Sequence, residues 1–459
     1  MALLIGKGIL AGLLATMVSA PALAQSVDAS RLDEIARQLQ ELKAQNERLQ
    51  AEVEYLRSNA LEQRKQVATD ELTLATLNST ASVAASKYTW SGDTRYRHEY
   101  DNAEENATTR NRERIRVRFG VTAKVNDTIN ARLQLSTINP GNDNSRSLNQ
   151  TLGTGWDRKS VGFDLAYVDW KASDTTSVVF GKMSIPFQTT ASYIWDKDMT
   201  PEGIAVKYVR GPLFGGAYYF AVNNRDSATS SLASRDAEAY AGQVGMKKTL
   251  GQVTLTGALQ YFDFTGLQDQ VAAGTGTGCT IDGAFGSGQG TGNNAFGNTT
   301  YTGGALNTTG SGTSCVRLLN DYNLVAAMLQ ADFNAGRYPV TVFVDYMKNN
   351  GVVASQTNRQ DRSYAAGFLF NRAAALHGWE IGYTYQKIEK DGAWTGFTDS
   401  DFGGGRSDTD GGVAKVAFIP ATNWTLNAQY FMNRRFIDNG DATPTRDYKR
   451  LQLDLNFKY

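Results

Sequence analysis

Cysteine, histidine and proline are nearly missing from this chain: its 459 residues include two, two and eight of them. Two cysteines exclude a scaffold built on disulfides and a cysteine-rich zinc protein. Two histidines, His98 and His377, remove the usual basis for histidine catalysis and metal binding. No Ser/His/Asp constellation is present, so no catalytic residue, cofactor or metal site is expected and the chain does not read as an enzyme. Net charge is missing too. Lys+Arg number 46 and Asp+Glu 46, which excludes a nucleic-acid binder that works through bulk positive charge. Beyond residue 24 no apolar run approaches 18 residues, so no transmembrane helix is available.

Glycine and aromatics are abundant, with 45 Gly, 21 Tyr and 20 Phe. The first 24 residues read as a secretory leader: Lys7, an apolar run from Gly8 to Ser19, Pro21, and the small-residue site Ala22-Leu23-Ala24. The mature chain then starts at Gln25 in an oxidising compartment. Residues 25–66 read as a coiled coil. Leu32, Ile35, Leu39, Leu42, Asn46, Leu49, Val53 and Leu56 recur in steps of three and four, with Asn46 at a register-setting a position. The other reading is a single amphipathic helix packed on another domain. A coiled coil needs partners and so implies a homo-oligomer. Residues 67–86, rich in Thr, Ala and Ser, read as a linker.

From residue 87 the period becomes two. Ile115, Val117, Phe119 and Val121 alternate with Arg114, Arg116, Arg118 and Gly120. Leu451, Leu453, Leu455, Phe457 and Tyr459 alternate with Gln452, Asp454, Asn456 and Lys458. One segment of this kind fits any half-buried strand, but its repetition over some 370 residues is the mark of a transmembrane β-barrel. Sixteen strands are expected, near 88–101, 111–125, 129–137, 160–171, 176–183, 202–210, 213–222, 237–248, 252–264, 321–334, 338–349, 360–372, 378–388, 411–419, 424–435 and 447–459. The fold class is all-β, a sixteen-stranded antiparallel barrel over 87–459 preceded by a short helical coil. Connections alternate short and long, as periplasmic turns and external loops do. An even strand number puts both barrel ends, and the coil, in the periplasm. Strand four resists a single parity, because Phe163 and Leu165 disagree with Val168 and Trp170. The insertion 265–320 is dominated by Gly, Thr, Asn and Ala, which cannot bury a core of their own. It holds Cys279 and Cys315, expected to form a disulfide across an external loop.

Sixteen strands enclose an aqueous channel, so the inward polar face is a pore lining. Arg112, Arg114, Arg116 and Arg118 share one parity and form a ladder with rungs ~6.6 Å apart. Arg95, Arg97 and Arg132 join it from neighbouring strands. A row of guanidiniums favours anions. The competing reading is a wall whose carboxylates neutralise the row. The long loop 184–201 carries Tyr193, Trp195, Asp196, Lys197 and Asp198. It either folds inward to narrow the channel or remains an external loop with solvated charges. Outward aromatics such as Trp90, Tyr96, Trp379, Trp424, Tyr430 and Tyr459 suit interfacial girdles.

Several stretches together carry a family resemblance: Trp90-Ser91-Gly92-Asp93 running into Arg95-Tyr96-Arg97, Arg110 to Gly120, Ala166-Tyr167-Val168-Asp169-Trp170, Gly181-Lys182-Met183 with Pro186-Phe187, and Trp195-Asp196 leading to Pro201-Glu202-Gly203. On these the chain resembles the putative porin family of Gram-negative bacteria over residues 87–459. It is also similar in architecture to phosphate-selective porins, which have a periplasmic coil and an arginine ladder. The resemblance implies a trimeric channel in the outer membrane. Its partners would be the lipid bilayer, lipopolysaccharide, and small hydrophilic solutes or anions. Loop 184–201 departs from a purely basic constriction, because Asp196 and Asp198 flank Lys197. The alternative is a structural or adhesive protein that links envelope layers through its coil.

Overall fold

A computed structural model describes residues 29–104, 106, 108–138, 146–224, 236–274, 295–304, 314–356, 358–437 and 444–459. The leader expected at 1–24 lies outside them. The chain divides into two units, Met1–Val83 and Ala84–Tyr459.

The first unit is α1 (Ala29–Lys87), one unbroken helix. The helix also covers 67–86, the stretch expected as a linker. Nothing in that stretch breaks a helix, since it contains neither Gly nor Pro, and its alanines are strong helix formers. Thr69 and Thr73 fit by donating their hydroxyls to the carbonyls of Lys65 and Thr69, at 2.9 and 2.8 Å. The seam side chains Ile35, Leu39, Leu42, Leu49, Val53 and Leu56 are all exposed. Asn46 accepts a hydrogen bond from Gln50 at 3.0 Å. The side chain of Leu32 lies outside the described set.

The second unit is built from β1 (Tyr88–Ala103), β2 (Arg110–Lys124), β3 (Ile129–Thr137), β4 (Gln150–Thr151), β5 (Val161–Lys171), β6 (Thr176–Lys182), β7 (Glu202–Arg210), β8 (Leu213–Asn223), β9 (Ala237–Leu250), β10 (Val253–Thr265), β11 (Val271–Gly274), β12 (Thr300–Gly304), β13 (Ser314–Leu318), β14 (Tyr322–Ala335), β15 (Tyr338–Asn349), β16 (Arg362–Asn371), β17 (Trp379–Ile388), β18 (Thr409–Phe418), β19 (Trp424–Arg435) and β20 (Arg446–Lys458). Sixteen of these pair antiparallel, each with its neighbour in sequence, and β20 pairs back onto β1, so the sheet closes. β4 caps the end of β2 that extends past β3. At the closing seam Gly92 and Tyr459 exchange two backbone hydrogen bonds of 2.8 and 3.1 Å. The Tyr459 ring lies over Gly92, where a Cβ would come within 2.3 Å of it. Two-residue turns at Gly211-Pro212 and Gly336-Arg337 use glycine at φ 59° and 63°, the left-handed region that side chains avoid.

The outward face carries exposed Phe119, Leu133, Val206, Val244, Leu259, Leu329, Val344, Ile381 and Leu453. That much apolar surface requires a lipid environment. The parity conflict in the fourth barrel strand is a β-bulge. Gln134 of β3 faces Leu165 while the next residue, Leu135, faces Phe163, so Asp164 is the extra residue. Asp164 and Leu165 are both buried, and Phe163 and Trp170 can both face outward.

The insertion departs from the expectation of a coreless segment. β11, β13 and β12 form a small sheet of their own. Leu267, Ala272, Ala295 and Leu318 are fully buried there. Few apolar residues suffice because the insertion also packs against the neighbouring loop 389–408. Asn298, for example, donates to the carbonyls of Lys390 and Ala393, at 2.8 and 2.9 Å. Cys315 lies on β13, but its side chain and Cys279 fall outside the described residues, and the expected disulfide with them.

Candidate functional site

Alternation along β2 turns Arg112, Arg114, Arg116 and Arg118 to the inside, with Arg95 and Arg97 beside them on β1. The register places Arg95 opposite Arg116 and Arg97 opposite Arg114. Such a cluster of like charges is tolerable only with counter-charges among it. The structure supplies them. Glu99 bonds Arg112 and also lies 3.4 Å from Arg114. Asp93 binds Arg116 and Arg118 at 2.8 and 2.6 Å. Asp454 of β20 grips Arg97 in a two-bonded fork of 2.6 and 2.9 Å. Arg450 bonds Asp101 and Asp401, at 2.9 and 2.7 Å. Glu113 points the other way and pairs with His98 at 2.6 Å.

Arg132 differs. Its guanidinium crosses onto β2 and bonds only neutral groups: Ser91 and Thr122 at 3.0 and 3.1 Å, and Gln134 at 2.7 Å. The crossing depends on Gly120, where a Cβ would lie 2.9 Å from Arg132 Nη2. Arg132 thus fills the rung that Gly120 leaves empty. Among the described residues, eight guanidiniums (Arg95, Arg97, Arg112, Arg114, Arg116, Arg118, Arg132, Arg450) and seven carboxylates (Asp93, Glu99, Asp101, Asp164, Asp198, Asp401, Asp454) stand around the row. Both readings of the ladder therefore describe part of it: the row faces inward, and it is largely neutralised.

Loop 184–201 lies inside the barrel. The backbone of Gln188 bonds Gln243 of β9 and Gln260 of β10, at 2.9 Å in each case. Thr190 donates to Asp345 of β15. Tyr193 donates its backbone N–H to Gln386 of β17 and its hydroxyl to Gln429 of β19, both at 3.0 Å. Asp198 meets Arg116 at 3.1 Å and Arg95 at 3.9 Å. The loop thus touches strands all around the ring.

A second inward segment, loop 389–408, was not singled out in the sequence. It meets the first along a zip of backbone bonds: Asp196 N–H to the Phe397 carbonyl at 2.9 Å, and Asp399 N–H to the Tyr193 carbonyl at 3.3 Å. Asp196 also accepts from the N–H of Ser400 at 2.9 Å. Trp195 stacks on Phe397 with centroids 4.1 Å apart, and Phe262 of β10 lies 4.8 Å from Trp195. Together with Phe187, Phe264, Trp394 and Phe402 they form an apolar core inside the ring. Three carboxylates sit along the zip. Burial, reinforced by Asp401, pushes Asp399 up to about 7. Burial and Asp399 likewise raise Asp196. Asp401 is the reverse: burial opposes its charge, but Arg97 and Arg450 hold it well below the usual carboxylate range.

Between the two loops and the wall is a cavity of about 360 Å³, lined by Arg95, Arg97, Lys197, Lys415, Glu380, Asp399, Leu369 and Val413 among others. Solvent reaches Lys197 there although protein surrounds it. Of the residues expected at the site, the structure brings Arg95, Arg97, Tyr193, Asp196, Lys197 and Asp198 to this cavity. Arg112, Arg114, Arg116, Arg118 and Arg132 stand elsewhere along the row, and Trp195 lies in the apolar core. No group of three or more metal-capable side chains occurs among the described residues.

A closed sixteen-stranded barrel, apolar outside, charged inside and narrowed by inward loops, defines an outer-membrane channel-type fold. The chain belongs to the family described as "Putative porin", which matches residues 44–459. The high-pH structure of OprB from Pseudomonas putida is similar at 12% identity, covering 83% of this chain and 96% of that one with a TM-score of 0.51. The trimer form of in-vitro folded OmpT from Vibrio cholerae is 12% identical, covering 81% and 99%, with a TM-score of 0.44. OmpF of Salmonella typhi, in complex with daunomycin, is 10% identical, covering 81% and 97%, at 0.44. The first of these speaks for the fold alone. No curated protein sequence matches the chain.

Proposed function

We propose that this chain is a passive outer-membrane channel for small hydrophilic solutes and ions, with a preference for anions. The observation that carries the preference is the excess of eight guanidiniums over seven carboxylates around the inward row, with Arg132 bonded to neutral groups. A wall with residual positive charge in a low-dielectric ring lowers the energy of a passing anion. Pairing makes that preference modest rather than absolute. Selectivity rests on Arg95, Arg97, Arg112, Arg114, Arg116, Arg118 and Arg132, and loop 184–201 is the constriction.

In this reading the channel is a trimer in a bilayer faced by lipopolysaccharide, and α1 lies in the periplasm. The exposed heptad seam supports self-association, because six apolar side chains in an a/d row are unpaired in one copy. Planar-bilayer recording of the refolded protein under a salt gradient is the test. An anion-signed reversal potential is expected. A cation-signed one would remove the role given to the arginines.

The length of α1 favours a second reading, a link between envelope layers. Its 59 residues extend about 90 Å at ~1.5 Å per residue. In that case, shortening α1 would weaken envelope attachment while leaving single-channel conductance unchanged.

A further inference from the structure

The lining of the 360 Å³ cavity is divided in chemistry. One corner is apolar, formed by Leu369 and Val413 beside Gly382. Gly382 leaves room for Leu369, since a Cβ there would fall 2.7 Å from Leu369 Cδ2. The other side is charged, with Arg95, Arg97, Lys197 and Lys415 set among Asp196, Asp198, Glu380, Asp399 and Asp401, and its cations are not equally engaged. Lys415 is neutralised by Glu380 at 2.7 Å, and Arg97 is held by Asp454 and Asp401.

Lys197 makes no hydrogen bond or ion pair among the described residues. The carboxylates of Asp399, Asp196 and Asp345 act on it only at Coulombic range. Arg95 donates one bond to Asn149 at 2.6 Å and stands 3.9 and 4.0 Å from Asp198 and Asp454. Its Nε is buried with no partner. The unused donors of Lys197, open to the cavity, call for an acceptor inside it.

We propose that this cavity is a subsite for small organic monocarboxylates, with the carboxylate held by Lys197 and Arg95 and the apolar body set against Leu369 and Val413. The assignment rests on the channel reading above. A tetrahedral oxyanion such as phosphate makes poor use of the apolar corner. A second negative charge is repelled by the neighbouring Asp198 and Asp401. An uncharged sugar leaves both cations unanswered.

The test uses the refolded full chain in planar bilayers carrying a chloride current. Hexanoate or benzoate should interrupt that current in a saturable, concentration-dependent way. Inorganic phosphate and glucose at the same concentrations should not. Lys197→Gln removes a charged hydrogen-bond donor and should raise the half-blocking concentration of hexanoate roughly tenfold or more. Leu369→Gln should weaken the block by hexanoate more than that by acetate, which has almost no apolar body to lose. Equal block by phosphate, or a block indifferent to both substitutions, would overturn the subsite and leave the channel standing. A folded protein that passes no current would overturn the channel, and the subsite with it.

Discussion

Arg132 shows what a single side chain can contribute when its neighbours are already paired. The ladder arginines share carboxylates two by two, so removing one leaves its acid with a single partner in the wall. Arg132 has only Ser91, Thr122 and Gln134 as partners. Arg132→Gln should therefore lower anion preference, read as a smaller reversal potential, while the barrel still folds. Arg118→Gln should disturb more, because Asp93 would keep only Arg116. Asp399 gives the complementary prediction. With its carboxyl raised to about 7 by burial and by Asp401, it is largely neutral at pH 6 and largely charged at pH 8. The groups facing it are Asp401, Asp196, Lys197, Arg146 and Tyr193, and Asp401 stays ionised throughout. Anion preference should fall as pH rises from 6 to 8, and Asp399→Asn should flatten that dependence. A wild-type reversal potential unchanged over this range would contradict the assignment.

Secondary-structure elements were legible to different degrees. Strands such as β2 and β20 declare themselves because lipid and lumen impose opposite chemistry on alternate residues. β5 resists because Asp164 inserts one residue, and no local composition marks a bulge. In β10 and β14 the alternation fades: Phe262, Phe264, Tyr322 and Leu324 face inward as Tyr261 and Val325 face outward. That loss of alternation is the sequence trace of a packed lumen. It was readable, but only once something was known to fill the ring. Loop 389–408 was passed over for the same reason. Trp394, Phe397 and Phe402 have no meaning as an external loop, and gain one only against Trp195. Helix α1 extends through 67–86 because the absence of breakers outweighs an abundance of Thr and Ser.

Two predictions belong to this scale. Trp195→Ala removes the ring that joins the inner loops, at a cost of about 3–5 kcal/mol typical of a buried aromatic. Lower thermal stability and larger, noisier single-channel currents should follow. Replacing Leu42 and Leu49 together by Asp puts charge into the seam of α1 and should reduce self-association in cross-linking, with the conductance of each barrel unchanged.

At the scale of the whole molecule, the usual order of a protein is inverted in one direction and kept in the other. Apolar side chains line the outside, as a lipid solvent demands. Inside, charge occupies the wall at β1, β2 and β20, and an apolar core occupies the side at β9, β10, β14 and β15. The lumen is thus neither an open polar tube nor a filled one. Both loops reach the charged wall, where Asp198 meets Arg116 and Asp401 meets Arg97 and Arg450.

The pairing of β20 with β1 has a consequence in time. Residue 93 finds its partner at residue 458, almost the whole length of the barrel later. Every other strand can pair as soon as its sequence neighbour is made, but this last seam must wait for all of them, and contacts so distant in sequence form slowly. Until then the sheet has two rows of unpaired amides that hydrocarbon will not accept. The backbone pairing that hydrocarbon demands is complete in this sheet only once Gly92 has met Tyr459.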